Sequence, residues 1–369
     1  MTPYVPEKLP LPQGSIDWAE HVTLIGKSNA ALARYDGILQ AVINPQVLLS
    51  PLMTQEAVVS SKIEGTVTSM EEVLQFEINP SVGTTPRKHD ELHEVINYRQ
   101  AIKMAVGDMN KRPICLNLVL DLHSILLSGS VRGQESRPGE IRRTQNYIAP
   151  QGTPIERATF IPPAPTDVIP ALNNWESYVH AEERDSLVQL AILKAQFELI
   201  HPFCDGNGRI GRMLVPLLLY GKGLLSSPMF YISAYLERNR DTYFDCLRSI
   251  SQNNDWNRWI KFFLQAVLVQ AEENNRKARA IISLYNEMKV RVPEITHSQF
   301  AVQTLDALFD KPIFDSRFFV SRSGIPPSTA KRIIKMLVES EILFILREQS
   351  GRTPATLYFP ALLEIAEGI

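Results

Sequence analysis

The stretch "HPFCDGNGRIGR", residues 201–212, decides how this chain is read. Three glycines, two arginines, an aspartate, an asparagine and a histidine stand between two apolar segments, "DSLVQLAILKAQFELI" (185–200) and "MLVPLLLYGKG" (213–223). Both flanks have helical periodicity and predict helices over roughly 186–200 and 208–221. A loop that opens a helix presents unpaired amides, and Gly206, Gly208 and Gly211 let backbone approach a ligand closely. The helix start carries partial positive charge, so the natural occupant is an anion such as phosphate. Arg209 and Arg212, at i and i+3, reach further phosphates, which suggests a polyphosphate. Asp205 offers an oxygen to a hard cation such as Mg2+, and His201 has the neutral pKa needed to take a proton from a hydroxyl. Together these parts describe a transfer site for a phosphorus-centred group. The spacing is not a P-loop, which ends in Gly-Lys-Ser/Thr, nor a dinucleotide fingerprint, which follows a strand.

The same twelve residues resemble the Fic family signature, with its His-Pro-Phe, Asp-Gly-Asn-Gly-Arg and closing Arg all in place. The resemblance covers about 46–275 and implies a mainly α fold: a Fic-type helical bundle with a β-hairpin flap. It also implies a protein adenylyltransferase, moving AMP from ATP to a Ser, Thr or Tyr hydroxyl of a protein, itself included, with release of pyrophosphate. By that match His201 is the general base, Phe203 anchors the loop, Asp205 holds Mg2+ and Asn207 positions the α-phosphate. Gly206 and Gly208 present amides, Arg209 faces the β-phosphate and Arg212 the γ-phosphate. Cys204 falls on a variable position and receives no role. The competing reading is a polar loop that merely turns the chain, with solvated arginines.

Upstream, "SSKIEG" (60–65) puts Ser60 and Glu64 on one helix face before a possible glycine cap. It resembles the family's inhibitory helix, which implies that Glu64 pairs with Arg212 and displaces the nucleotide's tail. Helix capping and solubility are the plainer uses of the same residues. Downstream, 145–163 reads as a hairpin, "QNYIAP" and "ATFIPP" around "QGTPIER", and resembles the family's flap. By that resemblance Thr159, Phe160 and Ile161 supply an edge on which a target segment adds as a strand; otherwise the hairpin only caps a core. "FYISAYLERNRDTYFDCL" (230–247) resembles the helix lining the nucleoside, with Tyr231, Asn239 and Tyr243 as candidates. Aromatics at helical spacing also serve as core.

Working outward, 369 residues with 44% hydrophobic content support two or three domains with buried cores. Thirty-eight basic residues against 40 acidic exclude a whole-molecule electrostatic surface for nucleic acid or anionic membrane. Cys115, Cys204 and Cys246 are odd in number and far apart, which argues against a disulfide framework and for a reducing, cytoplasmic setting. The amino end has prolines instead of a signal's basic and apolar regions, and no window approaches the ~20 apolar residues of a membrane span. A soluble protein is expected, with no membrane partner.

The chain divides into an N-terminal helical region (1–110), a catalytic core (111–290) and a small domain (296–369). Residues 1–14 read as an extended arm and "SIDWAE" as a serine-capped helix start. Further helices fall at roughly 17–41, 46–64, 68–76, 88–107, 116–128 and 168–180, and a long one from 255 ends or bends near Pro293. Pro216 predicts a kink in the helix after the signature. From 296 the pattern reads as a winged helix-turn-helix, with "ILFILREQSGRTPATLYF" as the wing. Residues 311–360 carry eight Lys or Arg and four Asp or Glu, a local excess that permits phosphate contacts. Ser328, Thr329, Lys331 and Arg332 would face DNA; the alternatives are target docking or a homodimer contact. Related chemistry at the signature, such as AMP removal, another nucleotide or phosphorylation, also remains open.

Overall fold

The computed structural model describes residues 2–42, 44–80, 85–109, 111–129, 131, 137–149, 152–351 and 353–368. In chain order its first helices are α1 (Trp18–Ala41), α2 (Pro45–Leu48), α3 (Ser50–Ile63), α4 (Met70–Ile78), α5 (Pro86–Met109) and α6 (Leu116–Leu126). Then follow α7 (Pro165–Val179), α8 (Ser186–Ile200), α9 (Asn207–Gly221), α10 (Ser233–Arg238), α11 (Arg240–Asn253) and α12 (Trp256–Thr296). The chain finishes with α13 (Ala301–Asp310), β1 (Ile313–Asp315), α14 (Ser316–Ser323), α15 (Pro327–Glu339), β2 (Phe344–Arg347), β3 (Thr356–Tyr358) and α16 (Pro360–Glu367).

At the centre lies α8, buried on every side from Leu187 to Ile200, as a helix that is apolar all round must be. Asp185 caps its start by accepting from the amides of Leu187 (2.9 Å) and Val188 (3.0 Å). Helices α7, α9, α11 and α12 surround it. Two indoles satisfy their donors on its backbone, Trp175 on Leu193 O and Trp259 on Ala191 O. Outside this layer α1 runs along α12, joined by Ser28 Oγ donating to Leu264 O.

Several local expectations are corrected. Asp17, not Ser15, caps α1, because its carboxylate stands three residues before the Glu20 amide it accepts. The single helix expected over 46–64 is α2 and α3, meeting at Leu49. Helix α12 runs 41 residues, about 60 Å at 1.5 Å per residue, and, as expected, ends near Pro293, at Thr296. His297 in the left-handed region closes it. One missing donor in the last turn is outweighed there by full burial of Val292 and Thr296. Helix α9 likewise runs on through Pro216, held by buried Met213, Leu214, Leu217 and Leu218.

The hairpin contracts to one bridging pair, Ile148 and Phe160, with a short 3-10 turn at Ile155–Arg157. Pro162 and Pro163 bring no N–H, so the ladder cannot propagate; residues 150–151 of the expected turn lie outside the described residues. Residues 2–14 form the extended arm, tied down by Asn174, whose amide exchanges hydrogen bonds with Leu9 N and O.

Beyond α12, helices α14 and α15 meet at a turn after Gly324, and β2 pairs antiparallel with β3. A third strand, β1, absent from the sequence reading, pairs with the other edge of β3. Helix α16 packs on both α3 and α12, with Lys277 Nζ donating to Ala366 O, and Lys311 bonds Glu77 of α4 at 2.7 Å. Among the described residues no helix is long and apolar enough to cross a membrane. Cys115, Cys204 and Cys246 are free thiols.

Candidate active site

The C-terminal end of α8 places His201. Its backbone leaves the helix in the left-handed region (φ 49°), and its amide still donates to Phe197 O at 3.1 Å. His201 Nδ1 lies 3.2 Å from Glu198 O. A carbonyl can only accept, so Nδ1 carries the proton and Nε2 keeps a lone pair. Burial lowers the imidazole's pKa, and the neighbouring Glu198 only partly offsets this. The ring is therefore a neutral base at pH 7.

The loop between α8 and α9 is held from below. Phe203 is fully buried and stacks on His123, centroids 3.7 Å apart and planes 6° apart. His123 Nδ1 accepts from Gly139 N, which leaves Nε2–H to donate to Asp205 O at 3.0 Å. Burial pushes its pKa down to about 4, so it stays neutral in this role. Gly206 caps α9 in the left-handed region (φ 81°), and a Cβ there would press on His123 and Leu126. Asn207 closes the loop with both ends of its amide: Oδ1 accepts from Phe203 N and Nδ2 donates to Phe203 O, each at 2.8 Å. One N–H of Nδ2 and one lone pair of Oδ1 are used in this way.

Arg209 and Arg212 are each 1% exposed. Buried guanidinium groups need partners. Arg209 meets Glu94 of α5 (2.9 Å) and Asp205 (3.3 Å). Arg212 points to α3, donating Nε to Ser60 Oγ (2.8 Å) and Nη2 to Ser60 O (2.9 Å) and Glu64 Oε1 (2.7 Å). Glu64 leans over the start of α9 so closely that a Cβ on Gly208 would collide with its Oε1. Burial works to raise the Glu64 pKa, but Arg212, with Arg209 and His201 behind it, outweighs burial and holds the carboxyl below its ordinary value. The carboxylate is ionised at neutral pH and stands over the start of α9.

These groups open into a cavity of about 750 Å³. His201, Gly208, Arg212 and Glu64 form its floor, Ile148, Thr159 and Phe160 one wall, and Arg240, Phe244 and Arg248 of α11 the other. Of the three hairpin residues, Thr159 and Phe160 line the cavity, while Ile161 is buried and its carbonyl accepts from Tyr4 N of the arm at 2.9 Å. Of the nucleoside candidates only Tyr243 lines the cavity. Tyr231 faces a separate crevice beside Glu56 and Asn274, and Asn239 stands just before α11 with its Nδ2 donating back to Tyr235 O of α10. Helical spacing makes these three equivalent on paper; in the structure they fall on different segments, Tyr231 before α10, Asn239 between α10 and α11, and Tyr243 on α11.

Other residues here escaped the sequence reading. Lys194 of α8 is buried between Glu198, its ion-pair partner, and the Tyr243 hydroxyl (2.9 Å). Glu56, one turn before Ser60, accepts from Ser233 N (3.1 Å) and Oγ (2.6 Å) and has its pKa raised to about 7, mainly by burial. Glu94 and His123 sit on helices far from the signature in sequence. Only the stripe Arg240, Phe244, Leu247, Arg248 and Ser251 carried a readable sign, a polar and aromatic face at helical spacing.

Asp205 can take a cation. Its side chain is 41% exposed, and only Oδ1 is engaged, by Gly206 N and Arg209. Among the described residues no cluster of three potential metal ligands occurs. A single carboxylate with phosphate oxygens and water is the usual surrounding of Mg2+.

Residues 22–107 match the Fic/DOC family N-terminal region, and residues 113–219 match the Fic/DOC family itself. The protein adenylyltransferase Fic of Drosophila grimshawi is 35% identical over 139 residues, covering 36% of this chain and 26% of the relative. That of Culex quinquefasciatus is 29% identical over 206 residues, covering 54% and 37%. The matched part thus spans between a quarter and two-fifths of these relatives' length. A Fic family protein from Desulfovibrio desulfuricans G20 superposes with a TM-score of 0.59 at 19% identity, over 97% of this chain and 98% of the other. A Fic domain containing signaling protein from Bacteroides thetaiotaomicron VPI-5482 gives 0.54 at 16% identity, over 69% and 97%. At such identities the likeness speaks for the fold.

Proposed function

The chain belongs to the Fic/DOC family, and from that premise we propose that it is a protein adenylyltransferase held in check by Glu64. The observation that carries this reading is the convergence of His201, the start of α9 at Gly208 and Arg212 on one cavity. The triphosphate of ATP would lie against the amides opening α9, with Arg209 and Arg212 neutralising its outer charge. A protein hydroxyl oxygen attacks the α-phosphorus while His201 Nε2 takes its proton. The bond from the α-phosphorus to the α–β bridging oxygen breaks, and pyrophosphate departs. Asp205 would hold Mg2+, which supplies charge neutralisation on the phosphates. Thr159 and Phe160 would align the target segment along the hairpin wall. Free thiols fit a reducing compartment.

In the conformation described, Glu64 holds Arg212 and crowds Gly208, so ATP would bind weakly or in an unproductive pose. The test is labelling with α-labelled ATP and magnesium: strong self-labelling for Glu64→Gly, little for the unaltered chain and none for His201→Ala. Absence of label on Glu64→Gly, on itself and on added protein, would refute the assignment.

A second role is supported by α15, which turns Ser328, Lys331 and Arg332 outward with Thr329 half-buried beside them. That exposed face is what contact with a nucleic-acid backbone requires.

A further inference from the structure

We propose that Arg142 is a positioning residue for the transfer reaction, fixing the hairpin wall of the cavity relative to His201; the proposal rests on the adenylyltransferase reading above. Arg142 is 3% exposed. The partners of its guanidinium are carbonyl oxygens from three separate segments. Nε donates to His201 O (2.8 Å), Nη1 to Thr144 O (3.3 Å), and Nη2 to Pro163 O (2.6 Å) and Ile200 O (3.4 Å). Its own amide donates to Pro202 O (2.9 Å). Burial lowers its pKa, yet guanidinium keeps its charge under all ordinary conditions.

A cation buried without a carboxylate needs another source of negative potential. Here it is the end of α8, whose last carbonyls have no helical partners and carry the negative end of the helix dipole. The same carbonyls belong to Ile200 and to His201, the latter held in a left-handed backbone that a non-glycine residue keeps only when its surroundings enforce it.

The other two carbonyls belong to the hairpin. Thr144 lies at the foot of its rising limb and Pro163 at the foot of its returning limb. Among the described residues the backbone offers one bridging pair between the limbs, Ile148 and Phe160. Side chains do the rest at the base: Gln145 Nε2 reaches Pro162 O (2.9 Å), and Asn146 Nδ2 reaches Phe203 O of the catalytic loop (3.0 Å). One rigid fork thus joins both feet of the wall to the backbone of the catalytic imidazole. Lysine, with a single ammonium on a flexible stem, cannot meet four carbonyls arriving from three directions.

The experiment compares Glu64→Gly with Glu64→Gly/Arg142→Lys as full chains. Expected for the double variant is a fall in self-labelling rate at saturating ATP of roughly ten- to hundredfold, the scale of a small misplacement of reacting groups. The KM for ATP should stay within about twofold, because the fork does not touch the phosphate site. Hydrogen exchange at the amides of Ile148, Thr159 and Phe160 should quicken about tenfold, well beyond any change at amides of the buried α8, which reports global stability. Full labelling with unchanged exchange, or a loss of ATP affinity equal to the loss of rate, overturns the proposal. If Arg142→Lys does not fold, Asn146→Ala cuts the neighbouring tie to Phe203 O at a half-buried site, and unchanged exchange and labelling there overturn it equally. Should Glu64→Gly itself fail to label, the transfer reading falls, while the exchange measurement still decides the brace.

Discussion

Glu64 Oε1 lies 2.7 Å from Arg212 Nη2 and, at the same time, closes the space above Gly208 at the start of α9. Under the proposed reading, one carboxylate both holds a phosphate-binding cation and sets like charge where the anion would lie. Ser60, one turn earlier, holds the same arginine by its hydroxyl and its carbonyl.

Removing the Glu64 side chain should strengthen ATP binding. Truncating one member of a hydrogen-bonded buried charge pair is worth about 2–5 kcal/mol, and since Glu64 is 35% exposed the lower end applies. Calorimetry with Mg·ATP should find Glu64→Gly binding at least about tenfold more tightly than the unaltered chain. Ser60→Ala should move affinity in the same direction by less. Equal affinities for Glu64→Gly and the unaltered chain would remove the brake.

The pH profile of transfer should report His201. Burial places its pKa below the free imidazole value, so the base is neutral, and active, throughout the neutral range. In Glu64→Gly the rate should be level near pH 7 and fall only on acidification through a midpoint below about 6.5. A midpoint above that value would mean that another group takes the proton.

Glu56 gives a stability signature of opposite slope. Its carboxyl has a folded pKa of about 7 against an ordinary 4.5, so the folded state favours the protonated form. That contribution is fully present below about pH 4.5 and is lost as pH rises through about 7, up to roughly 3 kcal/mol in all. Glu56→Gln stays neutral and keeps the shape, so its melting temperature should match the unaltered chain at pH 4.5 and exceed it at pH 8. A constant difference across that range would show that Glu56 does not titrate as its burial demands.

Contact between α15 and DNA should depend on Lys331 and Arg332, both exposed. Replacing both by glutamate should abolish retention of duplex DNA and flatten its dependence on salt. Self-labelling in the Glu64→Gly background should be unaffected. DNA retention that survives the double change would move the contact elsewhere or mark it as non-specific.

Much of the site was legible because its residues are contiguous. His201 to Arg212 form one loop and one helix start, so type and spacing declare the chemistry before any packing is known. Glu64 was legible only as the second half of a pattern whose first half lay 148 residues downstream. Glu94, His123 and Arg142 were not legible at all, since each reads as an ordinary helix or loop residue until the fold brings it to the signature. Tyr231 and Asn239 lie off the cavity that Tyr243 lines, which their spacing could not foretell, because both sit outside the helices, before and after α10, where packing alone sets the course of the chain.

The sequence by itself determined a helical protein with a glycine-rich polar turn between two buried helices, because hydrophobic periodicity, glycines and caps act within a few residues. Only the tertiary structure decided that Arg212 belongs to Glu64 and Ser60, that the hairpin keeps one bridging pair, and that α16 rests on α3. Those outcomes depend on which buried charge finds which partner across the core, and burial makes each such choice exclusive: a guanidinium out of water must be bonded somewhere, and the fold leaves it one place.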